Sequence, residues 1–393
     1  MARSLDPAKL PEGWKYDLLD KFAIRCSGHT PSKSFPEYWN GGIKWISLTD
    51  SYRLDRGYVY ETDKEISQEG LNKSSAELHP AETVVLSRDA GIGKSGVMAV
   101  PMAVSQHFIA WKCDNKERLN SWFLYNWLQL NKLEFERQAV GSTIKTIGLP
   151  YFKKLKIAVP PYPEQKKIAQ ILSTWDKAIT TTEQLITNSQ QQKKALMQQL
   201  LTGKKRLLDK NGVRFSGEWK RIELGNLLNY KQPTPYLVTS KEYSDDYEIP
   251  VLTAGKTFIL GRTNEDFGIY RENLPVIIFD DFTTATKFVD FPFKAKSSAM
   301  KILTAKEGVS INYVFEAIQM LNYKTGGHQR HWISLYSNLV INTPVIREQQ
   351  KIADVLTVAD QEIAVLQNKL DALKQEKKSL MQQLLTGKCR VTV

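Results

Sequence analysis

The chain has 393 residues, enough for two or three domains that each bury a core, and its formal net charge is +12. No apolar run approaches the length of a membrane span, so this charge favours an anionic partner, nucleic acid first, with a merely solvated basic surface as the alternative. Cys26, Cys113 and Cys389 lie far apart and form no CxxC pair, which argues against a disulfide scaffold and against a zinc site. The segment MARSLDPAKLPEGW lacks the apolar stretch of a signal peptide, so we expect a cytoplasmic protein.

The first candidate binding segment covers residues 27–50 and ends in a predicted short strand at residues 43–47. It combines turn residues, small hydroxyls, aromatic rings and lysines. Hydroxyl and ammonium groups suit phosphate oxygens, and aromatic rings provide rigidity. The candidate DNA contacts here are Thr30, Ser32, Lys33 and Lys44. The alternative is an ordinary surface loop anchored by Trp39 and Trp45.

Residues 81–97 form an apolar strand that leads into a glycine-rich basic loop. A nucleotide-binding P-loop would need glycine five residues before Gly93, but Arg88 stands there, so we do not expect ATP binding. Arg88, Lys94 and Ser95 instead suit contacts to DNA backbone or bases, and a plain hairpin turn is the alternative.

Residues 120–140 are predicted to form one helix whose aromatic face lies in the core. The loop GSTIKTI follows at residues 141–147 and crowds hydrogen-bond donors into a short segment. Its candidate DNA contacts are Ser142, Thr143, Lys145 and Thr146.

Two long segments repeat each other. LMQQLLTGK occurs at residues 196–204 and again at 380–388, and EQKKIA at residue 164 matches EQQKIA at residue 348, both at an interval of 184 residues. Prolines precede each copy, Glu164 and Glu348 suit a helix N-terminus, and Gly203 and Gly387 suit a helix end. Each copy is therefore predicted to be one helix of roughly 40 residues, a rod of about 60 Å.

Heptad spacing within both copies predicts a coiled coil. Because the seam of the first copy is polar at Thr182 and Ser189, we expect the two copies to pair with each other inside one chain. Two unrelated amphipathic helices, each packed on its own domain, are the alternative. The predicted apolar seam residues are Ile168, Leu172, Trp175, Ile179, Ile186, Leu196, Leu200, Ile352, Leu356, Ile363, Leu366, Leu370, Leu373, Leu380 and Leu384.

The block between the copies opens at Trp219 as the first block opens at Trp14, and it is rich in predicted strands. Its loop GGHQRHWI, aligned with GSTIKTI at an interval of 186 residues, carries side chains suited to base edges. Its candidate DNA contacts are Lys231, Gln232, Thr253, Lys256, Thr257, Thr283, Thr284, Lys287, Lys296, Ser297, His328, Gln329, Arg330 and His331.

The chain shows no signature of a catalyst. Asp280 and Asp281 are the only adjacent carboxylates on an apolar strand, and they have no acidic-x-lysine partner at a spacing suited to a metal-dependent nuclease. GxSxG, HExxH and CxxC are absent, as are a Rossmann glycine loop and the tetrapeptide of amino-methyltransferases. We therefore expect no catalytic residue and no metal ligand.

Taken together, these motifs resemble the specificity subunit of type I restriction-modification enzymes. The resemblance rests on the two near-identical helices, the Gly-Trp openings, and the segments TPSKSFPEYWNGGIKWIS, LTAGKTFILG and VIIFDDFTT, and it covers nearly the whole chain. It implies an α+β protein with two mixed α/β target recognition domains, separated by two long antiparallel coiled-coil helices and related by an internal pseudo-twofold repeat.

The resemblance also implies a division of labour. Residues 1–160 and 208–345 would be the two target recognition domains, each binding one half of a bipartite, asymmetric double-stranded DNA target. Residues 161–207 and 346–393 would be the spacer helices. Two methyltransferase (M) subunits would bring S-adenosylmethionine, and two restriction (R) subunits would use ATP and Mg²⁺, so this chain would be a non-catalytic subunit in phage defence. Two alternatives stay open, a stand-alone DNA-binding regulator and a nuclease that uses Asp280 and Asp281.

Overall fold

A computed structural model describes residues 10–113, 118–141, 145–253, 257–321, 331–333 and 335–392. The chain divides into two compact units. The first unit contains the residues up to Glu183 and those from Lys369 onward, and the second unit is Gln184–Asn368. Two helices of 39 residues each, α5 (Tyr162–Leu200) and α8 (Ile346–Leu384), contribute to both units. The predicted four-segment division follows the helix ends instead and stays a prediction.

The first unit is built around small sheets. Its strands are β1 (Lys15–Leu18), β2 (Ile24–Ser27), β3 (Trp39–Ile46), β4 (Tyr58–Val59), β5 (Glu65–Ile66), β6 (Thr83–Ser87), β7 (Ser95–Met98), β8 (Ala103–Val104), β9 (Phe108–Lys112) and β10 (Lys156–Val159). They form sheets of order β2-β9-β6-β7-β4, β5-β3-β8 and β1-β10. All pairs are antiparallel except β4 with β7 and β3 with β8. Short 3-10 helices lie at Leu19–Lys21, Pro36–Tyr38 and Leu48–Tyr52.

The short helices described in the first unit are α1 (Gln68–Asn72), α2 (Ser121–Leu130), α3 (Lys132–Gln138) and α4 (Leu149–Lys153). Helix α2 packs on β6 and β7 of the central sheet, whereas α1 contacts β3. The side chain of Asn120 caps α2 by accepting a hydrogen bond from Phe123 N at 3.0 Å. The prediction of one continuous helix over residues 120–140 is wrong at Asn131, which separates α2 from α3. Its side-chain amide donates to Trp127 O at 2.8 Å, and such a local side-chain bond competes with the helical backbone pattern.

Among the residues that the structure describes, the second unit repeats this plan with nine strands in place of ten. They are β11 (Lys220–Glu223), β12 (Leu228–Lys231), β13 (Ile249–Leu252), β14 (Ile259–Thr263), β15 (Val276–Asp280), β16 (Thr286–Val289), β17 (Lys294–Ala295), β18 (Met300–Ala305) and β19 (Val340–Thr343). The sheets have the orders β12-β18-β15-β16, β14-β13-β17 and β11-β19. The helices α6 (Leu224–Leu227) and α7 (Ile311–Gln319), with 3-10 helices at Thr234–Tyr236 and Tyr336–Asn338, complete the unit.

The central strands explain the apolar runs of the sequence. Every residue of β6 and of β15 is buried, so both faces of each strand are covered and no polar alternation is needed. In the first unit the core around β6 includes Trp111, Phe123 and Phe152, all 0% exposed. Each such side chain contributes roughly 1.5–3 kcal/mol through burial.

The long helices run antiparallel within each unit. In the first unit, Lys377 of α8 donates to Asp176 of α5 at 2.5 Å, and Lys374 of α8 pairs with Glu183 of α5 at 2.8 Å. Residue numbers therefore fall along α8 as they rise along α5, which shows that the helices are antiparallel here. In the second unit, Lys193 Nζ of α5 lies 2.6 Å from a carboxylate oxygen of Asp360 on α8. Every predicted apolar seam residue is buried or half-buried.

An ion pair between an arginine and a buried glutamate joins the start of one long helix to the residues after the end of the other. In the first unit, the guanidinium of Arg390 donates to both carboxylate oxygens of Glu164 at 2.7 and 2.8 Å. In the second unit, Arg206 makes the same two bonds to Glu348 at 2.6 and 2.7 Å. Such bidentate pairs fix both distance and orientation. Both pairs recur at the interval of 184 residues that separates the two helices.

The predicted left-handed glycines at the helix ends are confirmed, because Gly203 and Gly387 both have φ of +72°. A Cβ at Gly387 would also lie 2.5 Å from Pro11 Cγ, so the close approach excludes larger residues there. The mixed helix-and-sheet fold, with its internal repeat and its antiparallel helices, matches the predicted fold class. Among the described residues, no helix combines the length and apolar character needed to cross a membrane.

Candidate DNA interface

In the first unit, two predicted binding loops meet where β6 ends. Arg88 follows β6 directly, and its Nε donates to Ile147 O at 3.1 Å. In return, Ile147 N donates to Arg88 O at 2.8 Å, and Thr146 Oγ1 donates to the same carbonyl at 3.3 Å. The glycine-rich loop and the segment around Thr146 therefore form one surface, although nearly 60 residues separate them. Lys145 is exposed beside them.

The glycine-rich loop holds Lys94 without cancelling its charge. Gly91 and Gly93 have φ of +82° and +79°, which turns the chain sharply. A Cβ at Gly91 would lie 2.8 Å from Ser51 Oγ. Lys94 Nζ donates to Ser51 O at 3.2 Å and to Ser51 Oγ at 3.1 Å, both neutral acceptors. A half-buried ammonium oriented by neutral oxygens keeps its charge for an anion such as phosphate.

The loop after β2 lies next to this surface. Thr30 Oγ1 is hydrogen-bonded to the side chain of Gln106, and Arg88 N donates to the carbonyl of the next residue, His107, at 3.0 Å. The turn before β9 thus connects Thr30 with Arg88. The carboxylate of Asp89 accepts from His107 Nδ1 at 2.7 Å, which holds this turn in place.

The remaining candidates of that loop differ from one another. Ser32 and Lys33 are exposed. Lys44 forms an ion pair with Glu61, so its charge is compensated within the chain. Trp39 Nε1 donates to Ser32 O at 3.2 Å, and the rings of Trp39 and Trp45 pack edge to face at 5.2 Å. The two tryptophans therefore anchor the loop, while Ser32 and Lys33 stay exposed at its surface.

The prediction that Ser95 contacts DNA is wrong, because Ser95 is 0% exposed and cannot reach DNA. Its Oγ accepts a hydrogen bond from Gln129 Nε2 at 2.8 Å, and its backbone N–H donates to Asp55 at 3.0 Å. Asp55 also accepts from Lys132 Nζ at 2.6 Å. Ser95 therefore belongs to an interior network under the hairpin.

In the second unit, the corresponding end of β15 carries two carboxylates that the chain itself satisfies. Asp280 accepts from Thr283 Oγ1 at 2.7 Å and from Phe282 N at 2.9 Å. Asp281 is 2% exposed and accepts from Trp332 N at 2.9 Å, with Lys301 Nζ 3.4 Å away. These bonds give the pair a structural role and leave the nuclease interpretation without support.

Gln232 lies at the same end of the sheet. Its side-chain oxygen accepts from the buried Lys301 Nζ at 2.9 Å. Gln232 itself is exposed. Lys231 precedes it with its ammonium 5.9 Å from the ring centre of Tyr270. Thr283 is exposed, and Thr284 is half-buried in a left-handed conformation with φ of +58°.

A second group of candidates gathers around β13 and β17. Lys296 N donates to Leu252 O at 2.9 Å, which places Lys296 next to Thr253. Lys296 Nζ donates to Tyr243 Oη at 2.9 Å, again a neutral acceptor. The ammonium of Lys287 lies 5.9 Å from the ring centre of Phe258. Thr257 is exposed and Ser297 is half-buried in the same region.

The prediction that His331 contacts DNA is also wrong, because His331 is 0% exposed. Its backbone N–H donates to Asp281 O at 3.0 Å, as Ile147 N donates to Arg88 O in the first unit. His331 therefore takes the place of Ile147 at the interval of 184 residues, and the sequence alignment at 186 was two residues too long. The predicted contacts Ser142, Thr143, Lys256, His328, Gln329 and Arg330 lie outside the described residues.

The structure adds neighbours that the sequence analysis missed. Ser51, Gln106 and Tyr243 orient Lys94, Thr30 and Lys296, and none stands in a motif that would have drawn attention to it. Arg206 and Arg390 had a visible signal, because the repeat LMQQLLTGK continues as KR in one copy and CR in the other.

Comparisons with known proteins agree on one family. Residues 11–189 match the family model described as the type I restriction modification DNA specificity domain. The type I restriction enzyme EcoR124I/EcoR124II specificity subunit of Escherichia coli is 53% identical over 145 residues, which cover 36% of this chain and 34% of that protein. The putative type I restriction enzyme MjaX specificity subunit of Methanocaldococcus jannaschii is 28% identical over 98% of this chain and 95% of its own length.

The fold also matches solved structures. The type I restriction-modification S subunit from M. genitalium superposes with a TM-score of 0.64 at 15% identity, covering 98% of this chain and 99% of that chain. A chain of another type I restriction-modification system gives a TM-score of 0.56 at 13% identity, with 98% and 100% coverage.

Proposed function

We propose that the chain is a specificity subunit of a type I restriction-modification enzyme, like the relatives that it matches, and that each unit binds one half of a bipartite DNA target. One observation supports this proposal above the others. The frame of β-strand pair, capped helix and Arg–Glu pair occurs twice, while the polar side chains at the end of the central sheet differ between the copies. A repeated frame with different exposed side chains suits two readers of different sequences.

The arrangement of charge supports phosphate contact. Lys94 and Lys296 are each oriented by neutral oxygens, of Ser51 and of Tyr243, and no carboxylate of the described residues forms an ion pair with either. The amide of Gln232 and the guanidinium of Arg88 have the donor patterns that read base edges. We therefore assign the lysines to backbone contact and Arg88 and Gln232 to sequence reading.

We further propose that the paired helices α5 and α8 fix the spacing between the half-sites and that the chain docks methyltransferase and restriction subunits. The chemistry would then reside in those partners. Two M subunits would bring S-adenosylmethionine for adenine methylation, and two R subunits would use ATP and Mg²⁺ for cleavage.

The experiment is to co-express the chain with its partner methyltransferase and to map methylated adenines on plasmid DNA by single-molecule sequencing. The expected result is a split motif with a fixed gap. Arg88→Ala should relax only the half-site read by the first unit, and Gln232→Ala only the other. Lys177→Ala, which removes an exposed charge on α5, serves as the control and should leave both halves intact. A continuous palindrome, or relaxation of both halves by one substitution, would contradict the proposal.

A further inference from the structure

Three side chains of the first unit form a cluster that the DNA-binding proposal does not use. Cys26 lies on β2, and Glu77 and His79 lie in the segment before β6. One sulfur, one carboxylate oxygen and one ring nitrogen of these residues all lie within 4.8 Å of one another. Cys26 and His79 are 53 residues apart, so the sequence offered no ligand spacing, and the expectation of no metal site there rested on spacing alone.

His79 needs an explanation of its own. It is 0% exposed, and neither ring nitrogen has a hydrogen-bond partner among the described residues. Its backbone is fixed by two hydrogen bonds with Met102, at 2.8 and 3.0 Å, so the ring is held in place. Burying polar nitrogens without partners costs free energy, and native proteins rarely leave such groups unsatisfied.

The position of His79 suits a ligand. Its ring lies in the interior beside the sulfur of Cys26 and a carboxylate oxygen of Glu77, so a bound ion would give one ring nitrogen the partner that it lacks.

We propose that Cys26, Glu77 and His79 bind a divalent transition-metal ion of the zinc type. Thiolate, imidazole and carboxylate form a donor set that Zn²⁺ accepts, and three protein ligands leave a fourth position for water on the exposed side of Glu77. Tetrahedral zinc with bonds of about 2.0–2.3 Å requires its ligand atoms to lie roughly 3.5 Å apart. No separation in the cluster must therefore shorten by more than about 1.3 Å. The side chain of Glu77 is exposed and can move to shorten its own two distances.

Binding changes the partners of the cluster in a defined way. The thiol of Cys26 releases its proton to solvent as the metal–sulfur bond forms. Glu77 exchanges Lys112, whose Nζ lies 3.4 Å from its carboxylate, for the metal, and the ammonium turns to solvent. Lys112 thus opposes the metal, because it competes for Glu77 and repels a cation.

The site would link residues 77–79 to β2, directly before the loop that carries Thr30. The inference does not depend on DNA binding, because metal content is measured on the protein alone. A failed DNA assay would leave it untouched, and a failed metal assay would leave the proposed function untouched.

The test uses the full chain without an affinity tag, kept reduced, stripped with EDTA and titrated with Zn²⁺ against a chromogenic chelator. The expected result is one tightly bound ion per chain, lost in Cys26→Ser and in His79→Gln. Cys389→Ser is the matched control, since Cys389 is exposed and distant in sequence, and it should keep the ion. Lys112→Met should tighten binding about three- to tenfold.

Co²⁺ provides an independent readout, because thiolate coordination gives a charge-transfer absorption band. This band should be absent in Cys26→Ser and present in Cys389→Ser. Far-UV circular dichroism in EDTA checks that each variant is folded. Failure of the wild-type protein to hold Zn²⁺, or retention of the ion by folded Cys26→Ser, would overturn the proposal, as would weaker binding in Lys112→Met.

Discussion

The two units use the same buried frame and differ where their central sheets end. Glu164 and Glu348 each accept hydrogen bonds from one arginine guanidinium. Gln165 and Gln349 each accept a hydrogen bond from the backbone N–H of a helix N-cap residue, Asn120 and Ser310. After the central strand, however, one unit presents a basic, partly open loop and the other a pair of internally satisfied carboxylates. The two units thus share the contacts that stabilise the fold. The side chains after β6 and β15 differ, because the stability of the fold does not depend on their being the same.

The largest expected difference lies in the two ion pairs between an arginine and a buried glutamate. Arg206→Met should lower the free energy of unfolding by about 3–5 kcal/mol, because the 0% exposed carboxylate of Glu348 loses its cationic partner and keeps only the weaker hydrogen bond from Trp219 Nε1. Arg390→Met should cost less, since the Arg390 side chain is 43% exposed and water replaces part of its contribution. Urea denaturation of both variants measures the two losses.

Equal losses in these variants would mean that exposure does not govern the pairs. Two single substitutions that conserve the charge, Arg206→Lys and Arg390→Lys, serve as controls. Each keeps the charge but loses the bidentate geometry, so each should recover only part of the loss.

The next largest effect concerns the carboxylate of Glu265 in the second unit, which forms an ion pair with Lys294. Burial alone would raise the pKa of Glu265, but the ammonium of Lys294, the hydroxyl of Thr239 and two backbone N–H groups lower it to about 2 from 4.5. Glu265→Gln should cost about 2–3 kcal/mol near pH 7. A depressed carboxyl pKa stabilises above the unfolded value, so the difference from wild type should shrink as pH falls from 4.5 to 2.

Urea denaturation at a series of pH values checks this. A loss that stays constant down to the acid end of the range would show that Glu265 contributes through packing and not through its charge.

A smaller effect concerns DNA. Once the half-sites are mapped, Lys94→Ala should weaken binding of the matching duplex about tenfold and reduce the salt dependence by about one phosphate contact. Lys296→Ala should do the same at the other half-site. Lys44→Ala should change binding less than about twofold, because Glu61 already compensates its charge. Fluorescence anisotropy at several salt concentrations measures all three, and an unchanged salt slope in Lys94→Ala would exclude its contact with phosphate.

An effect of comparable size tests the shared frame. Gln165 bonds Asn120 N, Arg118 O and Pro160 O, while Gln349 bonds Ser310 N and Pro344 O. Alanine at either position should cost about 1–2 kcal/mol, slightly more at Gln165 because of its third bond. Thermal unfolding of the two variants compares them, and a larger loss at Gln349 would contradict the bond count.

Much of the frame could be predicted from the sequence, because an exact repeat with heptad spacing carries its own register. The long helices and their terminal glycines were predicted for that reason. The sheet ends could not be predicted in the same way. Whether Ser95 points inward depends on Gln129 and Asp55, which lie far away in sequence. His331 was assigned to the surface because the loop alignment was two residues too long, and only the bond to Asp281 O corrects it.

The distribution of tryptophan has a practical consequence for spectroscopy. Seven of the nine tryptophans belong to the first unit, and only Trp219 and Trp332 belong to the second. Trp219 Nε1 donates to Glu348 at 3.2 Å, and its ring lies 5.5 Å from the guanidinium of Arg206. Total emission therefore reports mainly on the first unit. Replacing Trp332 with phenylalanine would leave Trp219, which contacts both partners of the Arg206–Glu348 pair, as the single tryptophan of the second unit, so the small part of the emission that comes from this unit would report on that contact.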